Sequence, residues 1–248
     1  MNSVQAENLP TPALAGRVVL VTGAAGGLGL AAARACATAG ANVVLLGRHL
    51  RKLERAYDAV AAAGVEPLLY PLDLAGATPD DYAELAKRVQ SELGRLDGVL
   101  HCAAEFAGLT PLELADPAAL ARSLHVGLTA RMWLSQACLP LLRRREDAAL
   151  VFVIDDPVRV SQAYWGGYGV AQHAQRGLVS SLHQETAAGS VRVSALQPGP
   201  MRTPLRRRAF QCEDDREAID PARYAAACVV LLSSSGSVHR GTIWDAAA

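Results

Sequence analysis

The sequence has no excess of charge of either sign: 24 Lys and Arg stand against 24 Asp and Glu in 248 residues. A chain so balanced offers no basic surface for neutralising phosphates, and nucleic acid is not expected as a partner. The short runs Arg143-Arg144-Arg145 and Arg206-Arg207-Arg208 do not change that. Long apolar runs are also missing. None reaches the roughly 20 residues that span a bilayer, so no membrane partner is expected. Residues 1–16, "MNSVQAENLPTPALAG", lack the basic and apolar regions of a signal peptide. They predict a polar tail over 1–13. Cysteine is sparse and scattered, at Cys36, Cys102, Cys138, Cys212 and Cys228, with no C-x-x-C pair. That excludes a disulfide framework and fits a reducing cytoplasm. The histidines are dispersed too, so no metal site is expected.

Apolar residues are plentiful, at 51% of the chain, enough to bury both faces of a sheet. The length suits one large α/β domain over 14–248, with nothing left for a second. Apolar runs, most of them rich in Val or Leu, predict strands at 17–23, 41–47, 66–73, 96–104, 148–155 and 190–198, and "GTIWDA" at 241–246 predicts a short last strand. Between them, helices are predicted at 28–39, 49–63, 79–93, 117–143, 166–187 and 221–233, the third opening on Thr78 ahead of Pro79 and the fourth broken near Gly127. Apolar strands alternating with helices predict a parallel sheet of about seven strands covered on both faces. Residues 199–220 are charged and longer than an ordinary connection, and predict a lid or substrate loop.

The first strand runs into "TGAAGGLG", residues 22–29, and then into a helix. A glycine-rich turn there lets backbone approach a pyrophosphate, and the helix N-terminus adds free N–H groups and positive dipole. Thr22, Gly23, Gly27, Leu28 and Gly29 are therefore candidate cofactor residues. Their T-G-x-x-x-G-x-G spacing resembles the short-chain dehydrogenase/reductase family. Further stretches agree in order. Asp73, followed by Leu74, resembles the family aspartate that contacts adenine. Cys102, Ala103 and Ala104, in "HCAA", take the place of the N-N-A-G turn. Pro198, Gly199 and Thr203, in "QPGPMRT", resemble the P-G-x-x-x-T segment near the nicotinamide carboxamide. The resemblance spans about 14–246. It implies a single Rossmann-type domain, a doubly wound parallel sheet with a nicotinamide cofactor. The second strand ends Leu46-Gly47-Arg48, with Arg51 and Lys52 close behind. An acidic residue there would suit the ribose hydroxyl of NAD, whereas arginine accommodates the 2′-phosphate of NADP. NADP(H) is therefore favoured over NAD(H).

The resemblance also implies hydride transfer between nicotinamide and a carbonyl or alcohol carbon, whose oxygen needs a proton. In the family a tyrosine supplies it. Free tyrosine, with a pKa of about 10, is a poor base near neutrality. A lysine one helical turn later puts a cation beside the phenol, lowers its pKa and holds the nicotinamide ribose. A serine bonds the substrate oxygen, and an asparagine in the preceding long helix completes a water relay. In "WGGYGVAQH", residues 165–173, Tyr168 fits the tyrosine, but the lysine position holds the uncharged Gln172. The serine position holds Asp155, followed by Asp156, and the asparagine position falls on Gly127. An ionised Asp155 would raise the Tyr168 pKa, and it cannot donate to a carbonyl oxygen unless protonated. Ser161 lies in the loop beyond the strand, from which it could swing toward substrate. His173, about 140° round the helix from Tyr168, points elsewhere.

Three readings remain open at this stage. The chain is an NADP(H)-binding family member whose oxidoreductase activity is weak or lost. Alternatively, it is an active oxidoreductase using Tyr168 with Asp155 or Asp156 and water. The third is a non-redox lyase or isomerase using the carboxylates. The resemblance further implies a homodimer or homotetramer through helices 117–143 and 166–187; Leu128, Met132, Leu134 and Leu139 on them suit either a subunit contact or the core. The substrate is not legible.

Overall fold

In the computed structural model, strands β1 (Val18–Thr22), β2 (Asn42–Gly47), β3 (Leu68–Pro71), β4 (Gly98–His101), β5 (Ala148–Val153), β6 (Val191–Gln197) and β7 (Ile243–Asp245) form one sheet, in the order β3-β2-β1-β4-β5-β6-β7. Every neighbouring pair is parallel. Residues 12–210 and 217–247 are described. Most of the expected tail, Cys212 and the middle of the 199–220 segment lie outside them.

Parallel neighbours need crossovers, and helices supply them. These are α1 (Gly27–Thr38), α2 (Leu50–Ala61), α3 (Pro79–Leu93), α4 (Pro117–Leu124), α5 (Ala130–Leu142), α6 (Pro157–Val160), α7 (Gly166–Thr186), α8 (Pro204–Ala209) and α9 (Ala225–Leu232). One apolar core lies between the sheet and α3, α5 and α7; the other lies between the sheet and α1, α2 and α9. All five residues of β1 are buried, because both faces are covered. Small residues let α1 settle close to the sheet, with Ala32, Ala33 and Cys36 fully buried. At the start of α3, the Asp81 carboxylate accepts from both the N–H and the hydroxyl of Thr78, at 2.7 and 2.8 Å.

The long helix 117–143 is broken where the sequence places the break: it is two helices, α4 and α5, joined by a π-turn over His125–Thr129 that contains Gly127. The 199–220 segment is not wholly irregular. It holds α8, opened by Thr203 accepting from the Arg206 N–H at 3.1 Å, and a bridge from Met201 to Ile219. Of the apolar residues on α5, Leu134 and Leu139 belong to the core, the second of the two roles open to an Ala- and Leu-rich face, while Met132 is exposed.

The charged groups that tie the sheet together gather at the N-terminal ends of its strands. Asp147 accepts from Arg192 Nε at 2.6 Å and from Arg17 Nη2 at 2.5 Å. Burial pushes the Asp147 carboxyl up, but the bonds and charges of Arg192 and Arg17 outweigh it and leave its pKa lowered. The buried Asp97 carboxylate accepts from the Val18 N–H at 2.8 Å. The opposite edge of the sheet, at the C-terminal strand ends, is left for a ligand. Chain order reverses between β1 and β4, and a crevice opens there.

Candidate active site

That crevice is a cleft of about 390 Å³, running from the β1–α1 turn to α8. At its nucleotide end the glycines are required by contact. Gly23 has φ of +64°, and a Cβ there would lie 2.9 Å from the Ala103 Cα. A Cβ on Gly29 would lie 2.3 Å from the Gly23 carbonyl oxygen. Thr22 sits beneath the turn, its hydroxyl oxygen accepting from the N–H groups of Cys102 and Ala103, both at 3.1 Å. α1 starts with no side-chain cap and no acidic residue in its first turn. Its first N–H groups and dipole therefore face the cleft without a built-in acceptor.

The other expected cofactor residues line the same cleft. Leu28 and Leu74 supply buried apolar wall, and the Asp73 carboxylate is oriented by accepting from the Ala75 N–H at 3.1 Å. Cys102, Ala103 and Ala104 form the floor, and Pro198, Gly199 and Thr203 the opposite rim. Burial pushes the Cys102 thiol up to about 12, which rules it out as a nucleophile near neutrality. Arg48 and Lys52 both reach the cleft. Glu105, which the sequence pattern did not single out, stands 3.4 Å from Arg48.

At the catalytic end, the strand-to-helix step from β5 to α7 brings Asp155, Tyr168 and Gln172 together. The Tyr168 hydroxyl donates to Asp155 Oδ2 at 2.9 Å. Asp155 Oδ1 accepts from Arg159 Nη1 at 3.1 Å and from the Asp156 N–H at 2.8 Å. Gln172 Oε1 accepts from the Asp155 N–H at 2.9 Å. The carboxamide at the lysine position thus fixes the backbone that carries Asp155. Burial, then the charge and hydrogen bond of Asp155, raise the Tyr168 pKa well above its ordinary value, outweighing the cations Arg131 and Arg159. Tyr168 is a neutral phenol whose proton already has an acceptor.

Gly127, the asparagine position, contributes no group to the cleft. A Cβ there would lie 2.8 Å from the Ala171 Cβ on α7. The helices have closed over the space an asparagine side chain would need, so Gly127 is a packing residue and not a member of a relay. Ser161 does not reach Tyr168 either. Its hydroxyl donates to the Pro157 carbonyl at 2.6 Å and lies 2.9 Å from Nε2 of His173, on an exposed face. Asp156 caps α6 by accepting from the Val158 N–H at 2.9 Å.

The residue missed in the sequence is Arg131. It is a lone charge in the otherwise uncharged stretch "ARMWLSQACLPLL", and that exception was the available signal. It enters the cleft wall from α5. Above Tyr168, Phe106 and Trp165 complete an aromatic cluster, with Phe106 ring centroids 5.2 Å from each of the other two. Arg208 of α8 donates to the Phe106 carbonyl at 2.5 Å, so part of the 199–220 segment does cover the site. Among the described residues no group of three or more His, Cys, Asp or Glu is placed to hold a metal ion, and no helix is long and apolar enough to cross a membrane.

The sequence and the fold are similar to those of known proteins. The family model described as short chain dehydrogenase matches residues 17–214. The uncharacterized oxidoreductase YciK of Escherichia coli K12 is 33% identical over 231 residues, covering 93% of this chain and 91% of that protein. A Shigella flexneri 2a structure complexed with NADP matches with a TM-score of 0.92 at 32% identity, over 96% of this chain and 100% of that one. An Escherichia coli CFT073 structure complexed with NADPH matches with a TM-score of 0.90 at 34% identity, over 96% and 99%.

Proposed function

The chain belongs to the short-chain dehydrogenase family, and we propose that it binds NADP(H) while its hydride transfer to carbonyl compounds is weak or lost. The glycine turn, which tolerates no Cβ at Gly23 or Gly29, and the uncapped start of α1 fit a pyrophosphate. Arg48 and Lys52, with no carboxylate at Gly47, suit a 2′-phosphate. The NADP and NADPH complexes of the two structural relatives support the same cofactor. When bound, the cofactor supplies a hydride or accepts one.

The bond from Tyr168 to Asp155 carries the impairment. A carbonyl that receives a hydride needs a proton on its oxygen, and the phenol at this position directs its O–H in a hydrogen bond to a carboxylate instead. The hydroxyl that would orient the carbonyl is replaced by a group that accepts hydrogen bonds. The cation that would lower the phenol pKa from α7 is replaced by an amide turned to the Asp155 backbone.

Fluorescence titration with NADPH and NADH, followed by single-turnover kinetics over a panel of aldehydes and ketones, tests this reading. NADPH should bind more tightly than NADH, with little or no oxidation. Rapid NADPH oxidation by a carbonyl compound would defeat the impairment, and failure to bind either dinucleotide would defeat the cofactor assignment.

A further inference from the structure

The Arg131 side chain is in an unusual state for a cation. It is 2% exposed, and every acceptor it meets is uncharged. Nη1 donates to the Val153 carbonyl at 2.9 Å and to Gln175 Oε1 at 2.5 Å, and Nη2 donates to the Ala103 carbonyl at 2.5 Å. Nε is buried with no partner among the described residues. A buried charge without a counter-charge among the described residues is costly, and a perturbed ionisable group in a cleft wall is a candidate functional group. Burial lowers its pKa to about 10, which leaves it protonated at neutral pH.

Its position gives that charge a direction. Val153 ends β5, and Ala103 follows β4, so the guanidinium lies at the C-terminal ends of β4 and β5, one strand from the reversal point, and lines the cleft. Tyr168 and Gln172 line the same end of the cleft. Gly127 helps to make the arrangement. With no side chain there, α7 comes close, and Gln175 of α7 reaches Arg131. The replacements at 127 and 172 therefore stand beside a buried cation rather than an empty space.

We propose that Arg131 supplies the cation that holds the nicotinamide half of NADP(H), a role that Gln172 cannot fill. This rests on the reading that the chain binds NADP(H). It separates two duties of a single lysine in the family pattern: cofactor holding passes to Arg131, whereas activation of the tyrosine is not restored, because the Tyr168 hydroxyl keeps its proton and donates it in a hydrogen bond to Asp155.

Calorimetry on the native protein, Arg131→Met and Arg131→Lys tests the proposal, with NADPH and adenosine 2′,5′-bisphosphate as ligands. The second ligand carries the adenine half of the cofactor and no nicotinamide. Arg131→Met should lose about tenfold or more in NADPH affinity, the loss of at least one charge-assisted hydrogen bond. Its affinity for the bisphosphate should stay unchanged, and Arg131→Lys should retain most of the NADPH affinity. Equal NADPH binding by native protein and Arg131→Met overturns the proposal. So does a parallel loss of both ligands, which marks a merely structural role. If Arg131→Met does not fold, Arg131→Gln, which can still donate to a backbone carbonyl, takes its place in the same comparison. Native protein that binds the bisphosphate but not NADPH overturns this proposal alone; native protein that binds neither overturns the cofactor reading beneath it.

Discussion

Asp155→Ser is expected to raise NADPH-dependent carbonyl reduction by about 10²–10⁴-fold over the native protein, the range spanned by one positioned acid–base group. The substitution does two things at once. It removes the carboxylate that holds the Tyr168 proton at 2.9 Å, and it leaves a hydroxyl that can donate to a carbonyl oxygen. The phenol then keeps its burial but loses the charge that most opposes ionisation after burial, while Arg131 and Arg159 still act to lower its pKa. Arg159 is not stranded, because its side chain is 21% exposed and Asp156 lies 3.9 Å away. Adding Gln172→Lys should contribute little more. A lysine there arrives near the buried Arg131 charge, and like charges disfavour its protonated form. Single-turnover oxidation of bound NADPH against the carbonyl panel measures the effect. A variant that binds NADPH yet reduces no carbonyl faster than the native protein would show that Asp155 is not what blocks the reaction.

Gly29→Ala is expected to weaken NADPH binding by about 10²-fold or more. The added Cβ would lie 2.3 Å from the Gly23 carbonyl oxygen and 2.8 Å from its carbon, and neither is the end of a flexible side chain. The first turn of α1 must move away from the β1 end. Gly23 cannot follow freely, because it is pressed against the Ala103 backbone. Two charge-assisted hydrogen bonds lost at about 1.5 kcal/mol each amount to about two decades in affinity. Overpacking of this kind costs about 1–3 kcal/mol, below the about 5–15 kcal/mol that holds a typical domain together. A cooperative thermal melt should therefore persist. Unchanged NADPH affinity in a folded Gly29→Ala protein would remove the glycine turn from the binding site.

Much of the architecture was legible because the physics is local. The central strands are buried and read as Val- and Leu-rich runs, and the edge strands β3 and β7 followed from shorter apolar runs, so each of the seven was found. Their ends were not, because tertiary contacts set them. The run 96–104 yields only Gly98–His101 as strand, since Cys102 and Ala103 turn their N–H groups to Thr22. The helix read at 221–233 starts as a 3₁₀ turn at Pro221, capped by Asp220, before α9 begins. The meeting of Asp155 with Tyr168 was legible through the family resemblance, and Gln172 follows from its place one turn after Tyr168 on α7. Arg131 was not. Its surroundings are assembled from the ends of two strands and from α7, and no spacing along the chain encodes that approach. The meaning of Gly127 was hidden for the same reason. Its lack of a side chain looked like a lost relay member, whereas the contact with Ala171 makes it a condition for close helix packing.

The state of the Tyr168 proton is read most directly by ultraviolet difference titration, native protein against Tyr168→Phe, which isolates one phenol from the other tyrosines. With Asp155 as acceptor and no lysine on α7, no phenolate attributable to Tyr168 should appear as pH rises from neutrality to about 10, the ordinary tyrosine pKa. A phenolate that develops near neutral pH would contradict the locked tyrosine and restore the chain to the working dehydrogenases.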